Sequence, residues 1–230
     1  MLAIQNHLIE VLPATDRRRL LDICEPVQLL LSDVLCEPGA QTRHVYFPLE
    51  ASVSLVTLTD GQTGLEVGMV GREGMVGAQL ALGLGTSPLR ALVQGSGRSW
   101  RIDATTFRIE LERSVALRGA MNRYLSVLMA QLATSAACLR FHQIGPRLAR
   151  WLLMNQDRAH SSTFHVTHEF LAVMLGVRRV GITNAACELQ RAGLIEYSRG
   201  EVAVLNRAGL EAAACTCYAV ERKAYADAMQ

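Results

Sequence analysis

Aromatic residues, lysine and long apolar segments are all scarce in this sequence of 230 residues. Aromatic side chains make up 5% of the chain, which leaves few platforms for stacking single-stranded nucleic acid. No segment has the ~20 uninterrupted apolar residues of a membrane span, because polar side chains interrupt even the uncharged run between Arg123 and Arg140. The N-terminus lacks a basic region and carries Glu10, unlike a signal peptide. We expect a soluble, cytoplasmic protein with no membrane partner.

Motifs for catalysis are also missing. His168-Glu169 begins an HExxH zinc motif, but Ala172 stands where the second histidine is needed. The sequence has no GxSxG nucleophile elbow, no CxxC pair and no GxGxxG following a strand. We therefore predict that the protein is not an enzyme and that it has no cofactor and no metal site.

The cysteines lack the regular spacing of a disulfide framework. Reduced, mostly buried thiols are the expected state, and Cys215 and Cys217 fall two positions apart in a predicted helix, where they would face different ways. A redox role for Cys24, Cys36, Cys215 or Cys217 stays open. The six cysteines are Cys24, Cys36, Cys138, Cys187, Cys215 and Cys217.

Charge divides the chain into three segments. Residues 1–112 hold nine basic and thirteen acidic side chains, residues 113–141 hold four arginines and no acid, and residues 142–230 are again mixed. We predict an N-terminal β domain over 1–112, a dimerisation helix over 113–141 and a C-terminal DNA-binding domain over 142–230.

The first segment has the pattern of an antiparallel β domain. After a short helical start, the β-branched run 52–59 leads into the turn signal Asp60-Gly61. Further strands are predicted at 65–70, 90–94 and 99–102. Many short strands at this spacing favour a jelly roll or barrel over a parallel sheet, and the glycines of 68–77 suit a sharp crossing between strands.

The second segment is predicted to be helical from about Phe107 to Phe141. Apolar residues alternate at spacings of four and three, as in a coiled-coil seam. We prefer a dimer helix, with a helix buried in its own domain as the alternative. The predicted seam consists of Met121, Leu125, Leu128, Leu132 and Leu139.

The third segment reads as a winged helix-turn-helix. Thr167 is the predicted N-cap of its first helix, and Gly176-Val177 forms the turn before a second helix that Gly193 closes. Two short strands then flank a turn at Arg199-Gly200.

The second helix of such a motif enters the major groove with its first turns. Arg178, Arg179, Thr183 and Asn184 occupy those turns; arginine pairs with guanine, and asparagine pairs with adenine. Thr167, His168 and Arg199 are candidate phosphate contacts, which position a protein without reading sequence. The domain core is expected to hold Leu175, Val177, Ile182, Cys187 or Ala186, Leu189 and Leu194.

These patterns resemble the Crp/Fnr family of bacterial transcription regulators along nearly the whole chain. The segments that carry the resemblance are 45–48, 52–55, 60–61, 70–77, 175–179 and 189–195. The resemblance implies an α+β fold: an N-terminal antiparallel β jelly roll related to cyclic-nucleotide-binding domains, a long dimerisation helix and a C-terminal winged helix-turn-helix. It also implies a homodimer on palindromic double-stranded DNA, with RNA polymerase as a further partner.

The effector pocket of the family departs from its pattern here. By the resemblance it would include Gly74, Gly77, Ala78 and Arg90. Ala78 stands where cyclic-nucleotide binders place a glutamate, and Arg90 is shifted by one position, which turns a strand residue to the opposite face. Cyclic nucleotide binding in the usual way is not expected, and the small-molecule effector is unknown.

The sequence thus predicts a homodimeric, sequence-specific DNA-binding transcription regulator. The alternative is a ligand- or redox-sensing interaction module that does not bind DNA. A metal enzyme on a cupin-like barrel is disfavoured because only His7 and His44 lie in the β domain.

Overall fold

A computed structural model describes residues 6–59, 64–159 and 162–229. It has the predicted α+β architecture, with an antiparallel β domain, a long helix and a small helical domain that carries a β wing. The predicted turn at Asp60-Gly61 lies outside the described residues.

The N-terminal domain begins with two short helices, which are followed in the chain by the strands of two antiparallel sheets. The sheets have the strand orders β1-β7-β3 and β2-β6-β4-β5, which agrees with the predicted jelly roll. The elements are α1 (His7–Glu10), α2 (Ala14–Asp22), β1 (Glu25–Leu29), β2 (Val34–Cys36), β3 (His44–Pro48), β4 (Ser52–Leu58), β5 (Gly64–Val70), β6 (Arg90–Gly95) and β7 (Gly97–Asp103), with a 3-10 helix at Ala78–Leu82 between β5 and β6.

The helical second segment is divided in two at Ser114. Helix α3 spans Ala104–Arg113 and α4 spans Val115–Phe141. The Ser114 hydroxyl oxygen accepts from the Leu117 amide at 3.0 Å and donates to Asp16 at 2.6 Å. A serine N-cap satisfies a free amide at the start of a helix. The Ser114 side chain therefore begins a new helix at a point where hydrophobic periodicity alone predicts one continuous helix.

Helix α4 packs against its own domain through three of the five predicted seam residues. Met121 is fully buried among side chains of α1, β3 and α3, and Leu125 and Leu128 pack against the same cluster. Leu132 is 39% exposed and Leu139 is half-buried. For Met121 the prediction of a partner contact is therefore corrected, because its own protomer encloses it.

By length and hydropathy, α4 could cross a membrane, and the bent pair formed by His168–Met174 and Arg179–Arg191 passes the same test. In the structure α4 instead packs against β5 and α3.

The C-terminal domain is built around α5 (Ile144–Ala159). Its core joins α5 to the helix pair and the wing, and Met69 of β5 is buried in the same core. The two domains therefore share packed side chains. The remaining elements are β8 (Thr163–His165), α6 (His168–Met174), α7 (Arg179–Arg191), β9 (Ile195–Ser198), β10 (Glu201–Val204), α8 (Arg207–Ala213) and α9 (Cys217–Ala228).

Two features of the C-terminus differ from expectation. Cys215 lies before α9 and Cys217 begins it, so the two cysteines do not occupy one helix as predicted. Helix α9 packs along α4, and Met229 just beyond it is buried in the cluster of the N-terminal domain.

Candidate DNA interface

The helix pair α6 and α7 has the geometry of a helix-turn-helix. The two helices are bent by 111°, within the range of about 90–120° for such motifs. Gly176 provides the turn with φ of +61°, a left-handed conformation that glycine adopts without steric cost. Thr167 caps α6 by accepting from the Phe170 amide at 3.1 Å, as predicted.

The inner face of α7 holds the helix against the domain core. Ile182, Ala185, Ala186 and Leu189 are buried, while Cys187 is exposed. Of the two alternatives for this core position, Ala186 is thus the one that packs inward.

The outer face of α7 presents three of the four predicted base-reading residues. Arg178, Arg179 and Asn184 are exposed. Arg179 lies 3.9 Å from Glu169 of α6, with both side chains about 70% exposed. Such an exposed pair is worth about 0–1 kcal/mol, so it leaves the guanidinium free to exchange partners.

Thr183 is directed toward the domain instead. Its hydroxyl donates to the Arg179 carbonyl at 3.2 Å and lies 3.1 Å from Nδ1 of His168. Which of these two atoms donates depends on the tautomer of His168. A threonine hydroxyl has a second lone pair, and base reading by Thr183 stays a prediction.

His168 is a positioning residue in this arrangement. Its ring stacks on Tyr197 of β9 with centroids 4.4 Å apart, and Nε2 is buried without a hydrogen-bond partner. Desolvation, and secondarily the charge of Arg179, lowers the pKa of His168. The phosphate contact predicted for His168 stays a prediction.

The wing strands β9 and β10 are joined by a two-residue turn. Ser198 pairs with Glu201 across Arg199 and Gly200, which have φ of +53° and +86°. Two positive φ values define the turn whose twist matches paired strands. Arg199 and the N-cap Thr167 are exposed, and their phosphate contacts remain predictions.

The protein's own side chains fill part of the space around the predicted effector residues. The Tyr124 hydroxyl lies 2.1 Å from where a Cβ on Gly74 would stand, and it donates to the Met75 carbonyl at 3.3 Å. Gly77 has φ of +93°, and Ala78 is buried. Arg90 pairs with Glu37 at 2.9 Å. Effector binding by these four residues stays a prediction.

A cavity of about 410 Å³ lies between β5, α4, α5 and α9. Sequence reasoning did not find it, because its lining comes from segments far apart in the chain. Two of its lining residues, Arg158 of α5 and Glu73, form an ion pair at 2.7 Å. The lining residues include Arg72, Glu73, Tyr124, Arg158, Tyr218 and Tyr225.

Comparison with known proteins identifies the C-terminal domain. A family model described as Crp-like helix-turn-helix domain matches residues 146–213. The matched region ends with α8, so α9 lies beyond it.

The whole chain is similar in fold to Crp/Fnr regulators. A crp/fnr family regulator of Eubacterium rectale is 16% identical with a TM-score of 0.68, and the match covers 94% of this chain and 97% of that one. The c-di-GMP responsive regulator CLP of Xanthomonas campestris is 18% identical with a TM-score of 0.66, covering 84% and 99%. A CRP/FNR family regulator of Thermus thermophilus is 22% identical with a TM-score of 0.64, covering 83% and 98%.

No curated protein matches the chain by sequence. The matched domain and the fold of the whole chain confirm the predicted Crp/Fnr resemblance and its α+β fold. The family model covers residues 146–213, and the likeness of the whole chain to these structures is one of fold.

Proposed function

We propose that this protein is a homodimeric, sequence-specific DNA-binding regulator that acts in the cytoplasm and reads a palindromic operator with α7. The main support is that Arg178, Arg179 and Asn184 are exposed on the outer side of α7. The inner face of this helix is packed in the domain core. Arginine and asparagine there match guanine and adenine edges. RNA polymerase is a further proposed partner.

A second copy supplies the symmetry that a palindrome requires. We place the dimer contact on the exposed face of α4, where Asn122, Ser126, Met129 and Ala133 recur at spacings of four and three. Met129 is 64% exposed. This face is offset by one residue from the seam expected from sequence, because the protomer's own core already covers Met121.

Arg179→Ala tests the recognition helix. Operator sequences are first selected from random DNA by the wild-type protein, and affinities are then measured by fluorescence anisotropy at several salt concentrations. We expect Arg179→Ala to lose ~1–3 kcal/mol and to relax specificity at one base pair of each half-site. Wild-type affinity should fall steeply with salt, since phosphate contacts release counterions.

Arg113→Ala is the matched control, because Arg113 is exposed in the last turn of α3, far along the chain from the motif. It should bind the operator as the wild type does. If Arg179→Ala discriminates operator from random DNA as well as Arg113→Ala does, α7 is not the reading helix. If the wild type selects no sequence at all, the alternative of an interaction module without DNA binding replaces this proposal.

A small-molecule effector, if the protein takes one, would occupy the 410 Å³ cavity bordered by β5, α4, α5 and α9. Its walls contain residues of the sensor domain, the long helix and the C-terminal domain. A ligand there would contact all three of these parts. Their relative positions set the spacing between the two recognition helices of a dimer.

A further inference from the structure

Three cysteines and one histidine converge where α4 ends and the DNA-binding domain begins. Cys138 and His142 are one helical turn apart, and Cys215 and Cys217 flank the start of α9. The sulfur atoms of Cys138 and Cys215 are 3.6 Å apart, and the Cys217 sulfur is 3.5 Å from Nδ1 of His142. All four ligand atoms lie within 4.8 Å of one another.

The Cys138–Cys215 and Cys217–His142 distances match the edges of a metal tetrahedron, and the other ligand atoms lie within 4.8 Å. Ligand sulfurs at ~2.3 Å and an imidazole nitrogen at ~2.0 Å from one ion give edges of about 3.5–3.8 Å. A disulfide would need sulfurs about 2.0 Å apart, would use only two of the three thiols and would give His142 no partner. The described cysteines are all free.

The donor set selects zinc among the common metals. Thiolates and imidazole are the ligands of structural Zn²⁺, and Cys₃His is one of its standard combinations. An iron–sulfur cluster takes its thiolates on different irons, which requires ligand atoms spread more widely than these. The three cysteines are each less than 8% exposed, so the site is closed, as structural zinc sites are.

The surroundings suit an anionic centre. Three thiolates, a neutral imidazole and Zn²⁺ carry a net charge of −1. Arg147 and Arg150 of α5 interact electrostatically with Cys138 and Cys215. Cys217 stands at the N-terminal end of α9, where the helix dipole favours a thiolate.

Contrary to the expectation of no metal site from the sequence, we propose that Cys138, His142, Cys215 and Cys217 bind one Zn²⁺ per chain. The ion would thereby clamp α4 to the C-terminal domain. The ion would join the end of α4 to the segment before α9, and that segment already contacts the start of α5 because the Cys215 amide donates to the Pro146 carbonyl at 3.2 Å. The metal site stands on its own geometry; its consequence for DNA binding rests on the proposed function. A loaded site would fix the direction in which α7 is presented.

Metal content of the reduced full-length protein tests the site. After equilibration with Zn²⁺ and removal of free metal, we expect one zinc per chain by elemental mass spectrometry. Cobalt in place of zinc should give the visible bands of a tetrahedral ion and a thiolate-to-cobalt charge-transfer band. Zinc affinity is measured by competition with a chromophoric chelator.

Single substitutions assign the ligands. Cys138→Ser and Cys215→Ser should each weaken zinc binding by more than the ~10–100-fold typical of an outer-shell change, and Cys187→Ser and Cys36→Ser are matched controls that should retain wild-type affinity. His142→Cys should keep the zinc and strengthen the cobalt charge-transfer band, because a fourth thiolate replaces the imidazole. Since His142 is half-buried, this variant tests the site even where a serine variant fails to fold.

Three results would overturn the proposal: no stoichiometric zinc in the reduced wild type, equal losses in Cys138→Ser and Cys187→Ser, or an unchanged cobalt spectrum in His142→Cys. Zinc content is read without DNA, so the two proposals can fail separately. A chain that holds one zinc but selects no DNA sequence would sink the proposed function and leave the zinc site intact.

Discussion

Single residues fix the orientation of α6, α7 and the wing through contacts that a sequence pattern does not reveal. The imidazole of His168 lies between the Thr183 hydroxyl of α7 and the ring of Tyr197 in the wing. It therefore links three elements of the DNA-binding domain. The residue types of the motif were predictable, but the direction in which Thr183 and His168 point depends on neighbours brought together by folding.

The wing turn gives a stability prediction at this scale. Gly200 has φ of +86°, and a Cβ there would lie 2.6 Å from the His165 ring. Gly200→Ala should lower the free energy of unfolding by about 1–2 kcal/mol, because an L-residue pays that amount in the left-handed region. Denaturant titration measures it.

Gly145→Ala is the control for that measurement. Gly145 lies in α5 with open space around its Cα, so alanine should stabilise the helix by up to ~1 kcal/mol. Equal effects of the two substitutions would show that the conformation of the wing turn does not require glycine.

Helix α4 illustrates how packing decides the use of an amphipathic element. Its periodicity correctly predicts a long helix, but the apolar stripe turns inward onto the β domain, and Asn122, Ser126, Met129 and Ala133 face outward. Periodicity reports that one face is apolar and cannot say which neighbour covers it.

Met129→Glu tests the outer face as the dimer contact. Two carboxylates without partners would be buried at the interface, so we expect the dimer to dissociate at least tenfold more readily, about 1.4 kcal/mol. Sedimentation equilibrium measures the constant. Val220→Glu, a similar change at an exposed site on α9, should leave the dimer unchanged; comparable loss in both variants would place the interface elsewhere.

At the scale of the molecule, the β domain and the DNA-binding domain behave as one packed body in this structure. Met69 of β5 is buried among residues of the DNA-binding domain, and Glu66 of the same strand accepts from Ser54 at 2.5 Å near Arg150 and Arg158 of α5. Desolvation raises the pKa of Glu66 to about 7, against the lowering effect of Ser54 and of these arginines.

This carboxyl should make stability depend on pH. Its pKa is raised on folding, so its favourable contribution is full below pH ~4.5 and is lost as pH rises through about 7. Relative to Glu66→Gln, the wild type should lose on the order of 1–3 kcal/mol between pH 5 and pH 8. Denaturation at each pH measures the difference.

Glu112→Gln, at an exposed position of α3, controls for the removal of one surface carboxylate. Parallel stability profiles for the wild type and Glu66→Gln would contradict the raised pKa.

The amino-acid sequence specifies the kinds of element and their order, because turn residues, caps and hydrophobic periods act over a few residues. It therefore predicted the two-sheet β domain, the long helix, and the helix-turn-helix with its wing at Arg199-Gly200. Tertiary structure alone decided which face of α4 stays exposed, that Tyr124 fills the space over Gly74, and that Cys138 meets Cys215. Each of these depends on residues brought together from distant parts of the chain, and no local pattern encodes such a distance.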